Sequence, residues 1–568
     1  MIFLLRSIWI FSTAFAVNKP VNYKAEYNSP VDIPIILAGN FGELRPNHFH
    51  TGIDIKTNGK EGYNLCSIAD GYVSRIKTSS NGYGKVLYVN HPEFGITSVY
   101  AHCQNFRGKI ADYTVQAQFE AQFYEIDIEI PANALLVKRG EIIGLSGNSG
   151  SSTAPHLHFE IRETTTENPL NPLLFNFLQI NDSRAPHLEQ LVVYALSANG
   201  YRIPEKRITV PIKNDKGRYH IANDTIDIPA HFCSEHGGIG LGLSAHDKYN
   251  ASENVCGIYK GILMLNQDTV HTQIMNRMDF EASRQINTHK DYEAYKKSRV
   301  KIDKYFRTTH NTLPIYEENI GNGILGLQPD HHYALTFSIA DFVGNSSILA
   351  FIIRALPGVI REETTPYDQY HIDYLYPDSA YVFTSKKYAI KLGKNSFYEP
   401  VKRIVQEANG KLTFGNSADP VHSPFIIGLP IPELIKTHKN KIILYLKEGN
   451  KAFIGIEENN WYYAEVRNFG GFSLDIDTIA PELKAKFKKT TNPQSLKKLS
   501  WSIMDNMSGI KYYALFINGV YQLLEYEHKR NEVFASIVEL EPGKHQIKIV
   551  ARDKVGNERI IEDEIWVQ

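Results

Sequence analysis

The chain has 568 residues, with 61 lysines and arginines against 62 aspartates and glutamates, a net charge of -1. That balance gives no bulk electrostatic attraction for nucleic acid or an anionic membrane surface. The length accommodates three or four domains of ordinary size.

Met1–Ala16 is a short apolar run with Arg6 near its start and Ala14-Phe15-Ala16 as an Ala-x-Ala cleavage site. It reads as a signal peptide and predicts export to the periplasm or the extracellular envelope. The run is too short to span a bilayer and no later stretch qualifies, so no transmembrane segment is expected.

Phe49–Ile55 alternates and is rich in β-branched residues, which predicts a strand or strand entry. On a strand His50 and Asp54 lie an even number of positions apart and share a face. Val99–Cys103 predicts another strand, carrying His102, with Cys103 turned to the opposite side. The run Ser149–Glu160 ends in Pro155-His156-Leu157-His158-Phe159-Glu160. As a strand it points His156 and His158 one way and Leu157 and Phe159 into a core. Two imidazoles so placed suit a tetrahedral metal or a shared reaction centre. The Gly144, Gly147, Gly150 spacing is no phosphate loop, because no Gly-Lys-Ser/Thr follows and the segment leads into a strand.

The residues Arg45, His50-x-x-x-Asp54, Ala69-Asp70-Gly71-Tyr72-Val73, Tyr100-Ala101-His102, Lys138-Arg139-Gly140, Gly147-x-x-Gly150, His156-Leu157-His158 and Asn168-Pro169 occur in one order. In that order they resemble the lysostaphin/LytM-type zinc metalloendopeptidases, which cut peptide bonds in bacterial peptidoglycan. The resemblance covers about Asn40 to Pro172. It implies Zn2+ as cofactor, with His50, Asp54 and His158 as metal ligands and His102 and His156 as the non-ligand catalytic histidines. It also implies a peptidoglycan peptide as substrate. Glu160 is either an orienting partner of a ligand imidazole or a solvated strand carboxylate. The alternative function is a non-catalytic scaffold of the same fold that binds or activates other cell-wall hydrolases. The complete set of five side chains favours the enzyme. Gly108–Ala134 departs from the compact family pattern, and its alternating part Phe123–Ile130 predicts an added hairpin strand. That strand would form a wall of the substrate groove, the preferred reading, or cover a sheet edge.

Beyond Pro172 the chain is rich in strands, aromatics and turns, without long helical periodicity. Asp182-x-x-Ala185-Pro186 recurs as Asp477-x-x-Ala480-Pro481, and Asp341-x-x-Gly344-Asn345 as Asp553-x-x-Gly556-Asn557. Asp247 to Gly257 is likewise paralleled by Asp505 to Gly509. The pattern resembles bacterial immunoglobulin-like sandwiches, in which Gly-Asn turns the chain into the last strand. The expected class is all-β dominated: an antiparallel β-sheet metallopeptidase domain followed by β-sandwich domains. The expected divisions are a signal peptide at 1–16, the peptidase domain at 17–181, a sandwich with insertions at 182–356, a β-rich domain at 357–474 and a sandwich at 475–568. Arg284–Thr312 is the expected insertion, with a short helix. The aspartates of the repeated turns would bind calcium or cap the turns, and capping is the preferred reading. The sandwiches offer a surface for an envelope protein partner. Of four cysteines, Cys66 with Cys103 and Cys233 with Cys256 form the expected sequence-local disulfides.

Overall fold

The computed structural model describes residues 20–567 apart from 178–179, 230, 234–236, 309, 359–366, 368–369, 488–497 and 538–539. The signal-peptide segment lies outside the described residues. No described helix is long and apolar enough to cross a membrane.

Besides the short Leu136–Val137 and Pro169–Leu170, the nine-stranded main sheet of the N-terminal domain has seven antiparallel strands in one path. They are β1 (Leu37–Gly39), β2 (Ile53–Lys56), β3 (Gly71–Thr78), β4 (Val86–His91), β5 (Ile96–Ala101), β6 (Ile126–Glu129) and β7 (His156–Glu163). Their spatial order is β1-β2-β7-β5-β4-β3-β6. The alternation in β7 works as its sequence dictates: Leu157, Phe159 and Ile161 are fully buried beside Ile53, Ile55 and Tyr100. A small sheet of Asn64–Cys66, Ile142–Leu145 and Asn105–Phe106 closes the same core, contributing Leu65, Ile143 and Phe106. Register places the chemistry, because β7 lies between β2 and β5 and sets His158 opposite both Asp54 and Ala101.

The Gly108–Ala134 connection differs from the expected hairpin. It begins with a helix, α1 (Gly108–Ala121), which ends where Gln122 turns left-handed at φ 48°. Then comes β6, which pairs with β3 at the edge of the sheet remote from β1. The strand therefore covers a sheet edge and is no groove wall. The helix escapes a hydrophobic reading because its buried row is Ile110, Thr114 and Gln118, only one of them apolar.

All four cysteines are free, which corrects the expected disulfides. Cys256 lies in the core of the N-terminal domain, while Cys233 packs on the core of the next one. Cys103 shares the first core with Cys66, but its thiol donates to the Tyr100 carbonyl at 3.3 Å.

The second region packs a four-stranded sheet (Arg202–Pro211, His187–Leu196, Gly238–His246, Asp303–Lys304) on a larger one built around Lys260–Leu265, His332–Ala340 and Ser346–Ala355. Leu191, Leu241, Leu263, Phe337 and Leu349 fill the space between them. Pairing is antiparallel except where Arg218–His220 and Thr225–Ile228 run parallel to Ser346–Ala355. Short helices at Ile286–His289 and Tyr292–Ser298 occupy the insertion. The third region faces two five-stranded sheets across Ile390, Phe414, Ile427 and Leu444. The last region faces two four-stranded sheets across Trp501, Leu515, Val533 and Ile549. In the second and last regions the repeated Gly-Asn turn leads into the final strand, Ser346–Ala355 and Glu558–Val567 respectively.

Two of these regions pack on the N-terminal domain. Met275 and Met278 of the second region and Ile286 of its insertion bury Phe41, Leu44 and Phe49. There Lys290 Nζ donates to the Arg45 carbonyl at 2.8 Å, and Lys301 Nζ lies 2.8 Å from Glu43 Oε1. On the other side Tyr124, just after α1, is buried in the core of the last sandwich. Phe123 stacks on Tyr512, and Lys85 Nζ pairs with Glu525 Oε2 at 2.8 Å.

Candidate active site

Three of the expected residues meet at one point. His50 Nε2 lies 3.0 Å from Asp54 Oδ1 and 3.0 Å from His158 Nδ1, and His158 Nδ1 lies 2.9 Å from the same carboxylate oxygen. The tautomers follow from the outer partners. His50 Nδ1 faces the Asn40 carbonyl at 2.7 Å, which can only accept, so the proton sits on Nδ1 and Nε2 keeps its lone pair. His158 Nε2 faces Glu160 Oε1 at 2.9 Å and carries its proton there, leaving Nδ1 with a lone pair. Two nitrogen lone pairs and a carboxylate oxygen thus converge with no donor of their own between them. A cation satisfies that arrangement. Two imidazoles and one carboxylate are a donor set that zinc takes in catalytic sites.

Local backbone differs from the expected continuous strand around His50. A two-residue strand, His48–Phe49, forms a hairpin with Leu44–Arg45, and β2 starts only at Ile53. The break falls at Thr51-Gly52, where the chain presses against β7: a Cβ on Gly52 would lie 2.3 Å from the Phe159 carbonyl oxygen. His50 therefore reaches Asp54 from a loop and not through strand alternation. His102 also lies off its strand. β5 ends at Ala101, and His102 takes a left-handed φ of 59°, which turns its ring toward the site.

Glu160 is fully buried and is no solvated carboxylate. Its Oε1 accepts from Thr51 Oγ1 at 2.6 Å and from the Tyr83 hydroxyl, and its Oε2 accepts from Arg162 Nε at 2.7 Å. Burial alone would raise this carboxyl. Arg162 and His158 outweigh burial and hold it far below the usual range. Tyr83 stacks on His158 with ring centres 5.1 Å apart. Asp54 Oδ2 is met by Arg45 at 3.3 Å, and that guanidinium also pairs with Glu43 at 3.1 Å. Burial would raise Asp54 as well, but its His50, His156 and His158 neighbours outweigh burial and keep it well below the carboxylate norm. His158 is pushed up to about 9, because Asp54 and Glu160 overcome the opposing effect of burial. Surroundings that hold a proton there equally favour a divalent cation.

His102 and His156 stand beside this cluster, their rings 4.8 Å apart. His156 Nε2 is 3.4 Å from Asp54 Oδ1, while its Nδ1 points at the Ala154 carbonyl at 2.9 Å. His102 Nδ1 points at the Ser149 carbonyl at 2.8 Å. Both protons are thereby placed on Nδ1, and both Nε2 atoms are left as bases. Burial first, then the charges of His158 and His156, push His102 down to about 3, so it stays neutral over the ordinary pH range. Cys103 next to it is no nucleophile, since burial pushes its thiol up to about 12. The loop between them is tight: a Cβ on Gly150, at φ 70°, would meet the Gly82 carbonyl at 2.4 Å.

Composition and periodicity do not single out Asn40, Thr51 or Arg162, whereas Tyr83 stands in the Gly82-Tyr83-Gly84-Lys85-Val86 run that belongs to the family resemblance. Asn40 reaches His50, and Thr51 and Tyr83 reach Glu160, from loops and turns, while Arg162 lies two residues beyond Glu160 on β7.

Residues 132–172 match the family described as Peptidase family M23. Over 124 residues the chain is 32% identical to the DD-carboxypeptidase/endopeptidase Mpg of Neisseria meningitidis serogroup B, a match covering 22% of this chain and 22% of that relative. It is 26% identical over 119 residues to an uncharacterized metalloprotease of Haemophilus influenzae, covering 21% of this chain and 19% of the other. The catalytic domain of lysostaphin from Staphylococcus simulans is 24% identical, with 24% of this chain and 86% of that one covered at a TM-score of 0.18.

Proposed function

We propose that the protein is an exported zinc metalloendopeptidase that hydrolyses peptide bonds in peptidoglycan cross-links. The observation that carries this reading is the convergence of His50 Nε2, Asp54 Oδ1 and His158 Nδ1, with His102 and His156 alongside. His50, Asp54 and His158 would hold the zinc, which would lower the pKa of a bound water toward about 7 and polarise the scissile carbonyl. Glu160 and the Asn40 carbonyl keep the two ligand imidazoles in the tautomers that binding needs. His156 and His102 take up and return the proton of the attacking water at Nε2 and stabilise the developing oxyanion. The Neisseria relative is a DD-carboxypeptidase/endopeptidase, which supports a cell-wall peptide as substrate. The two outer sandwiches fit immunoglobulin-like modules that position the peptidase on the wall or against an envelope protein.

Digestion of purified muropeptides by the chain, with zinc content measured in parallel, tests the reading. Cleavage with about one zinc per chain, abolished in His158→Ala, is the expected result. Intact muropeptides in the presence of a fully occupied metal site would point to the scaffold instead.

A further inference from the structure

Two clusters of aspartates stand apart from the His50, Asp54 and His158 group, one in each outer sandwich. Asp182, Asp247 and Asp341 form the first, and Asp477, Asp505 and Asp553 the second, with the facing ligand atoms of each cluster within 4.8 Å of one another. Topology explains the repetition. In both sandwiches the first aspartate precedes the opening strand (His187–Leu196 and Glu482–Ala485). The second follows Gly238–His246 or Lys498–Met504, and the third stands at the end of His332–Ala340 or Gly543–Asp553. All three chain segments meet at one pole of the sandwich.

Turn capping explains only part of each cluster. Asp341 Oδ1 accepts from the amides of Gly344 and Asn345, and Asp553 Oδ1 accepts from those of Val555 and Asn557. Asp505 Oδ2 accepts from Met507 and Gly509. Asp247 caps nothing: the residue is 1% exposed, and neither of its carboxylate oxygens has a hydrogen-bond partner. Asp182 Oδ2 and Asp505 Oδ1 are also buried without one. Among the described residues no lysine, arginine or histidine forms an ion pair with any of the six. In the first cluster two buried carboxylates and a half-buried one crowd together without a paired counter-charge, which is expensive, and a cation removes the expense.

We propose that the first cluster, around Asp247, binds one calcium ion. The donors are all oxygen, which selects hard cations over zinc. Carboxylates shared between turn amides and an irregular pole suit the flexible six- to eight-oxygen shell of calcium better than the strict octahedron of magnesium. The ion would tie the entry segment of that sandwich to the ends of two strands from opposite sheets.

Equilibrium dialysis of the full, chelator-treated chain against calcium chloride, with magnesium chloride as comparison, tests this. One calcium ion per chain is expected, with Kd at or below the ~10⁻⁴–10⁻³ M of extracellular calcium modules. Asp247→Asn should remove it, while His158→Ala should leave it. Calcium at roughly five times Kd should raise the thermal transition by about 2–4 °C. The Asn variant removes a like charge, so in calcium-free buffer it should melt no lower than the parent and lose the calcium-induced rise. No bound calcium at 10-fold above that range would overturn the proposal. So would an ion retained in Asp247→Asn, or magnesium binding as tightly as calcium.

Discussion

Glu160 holds His158 from behind: its Oε1 is 2.9 Å from Nε2, on the ring edge opposite the nitrogen that faces Asp54. Thr51, Tyr83 and Arg162 in turn fix the carboxylate, so ring orientation passes from strand to strand through one buried anion. Replacing Glu160 with Gln keeps the shape but loses the charge that secures the Nε2–H tautomer. Zinc affinity should fall about 10–100-fold, as outer-shell changes commonly produce. A chelator-competition titration measures it, and an unchanged affinity would show that Glu160 serves stability alone.

Ligands and bases should separate experimentally. His50→Ala, Asp54→Ala and His158→Ala are expected to lose both zinc and turnover. His102→Ala and His156→Ala are expected to keep about one zinc and lose about 10²–10⁴ in kcat, the usual size of a proton-transfer contribution. Elemental analysis beside muropeptide turnover reads both quantities. Loss of zinc in His156→Ala would move that residue into the ligand set.

Tyr124 couples the helix α1 insertion to the last sandwich, where it is buried among Leu515, Trp501 and their neighbours. Tyr124→Ala should weaken that docking by about 3–5 kcal/mol, the range for deleting a buried aromatic. Limited proteolysis should then release the C-terminal sandwich faster than in the parent. Lys529 reaches across the same junction to the Ser152 carbonyl at 3.2 Å and to that of Asn148, but its amine is partly solvated. Lys529→Ala should leave proteolysis rates within about twofold, since a partly exposed contact contributes under about 1 kcal/mol.

Asp247 makes a pH prediction. Burial, then the charges of Asp341 and Asp182, push it up to about 7 against the opposing charge of Arg184. An acid whose folded-state value lies above its unfolded value of about 4 binds its proton more tightly when folded. Without calcium, stability is therefore fullest below about pH 4 and declines as pH rises toward about 7. Thermal unfolding of the calcium-free chain between those limits should show the decline, and Asp247→Asn should flatten it. An equal slope in the variant would assign the trend to other groups.

Much of the site was legible before the fold. Alternation in β7 alone implies that His156 and His158 share a face above a core of Leu157 and Phe159. The motif order then joins His50, Asp54 and His102 to them. The helix α1 was not legible, because its buried row uses Thr114 and Gln118, side chains that carry no apolar period. The free cysteines were not legible either: Cys233 and Cys256 are neighbours along the chain but belong to different cores.

Residue order alone determined the strand periodicity, the donor types and the repeated aspartates, because these depend only on local backbone geometry and side-chain chemistry. Tertiary structure decided which lone pairs face one another. It set the register of β7 between β2 and β5, broke the chain at Gly52, turned His102 left-handed and buried Glu160 against His158. Those outcomes rest on close contacts between segments up to about a hundred residues apart, which no local pattern encodes.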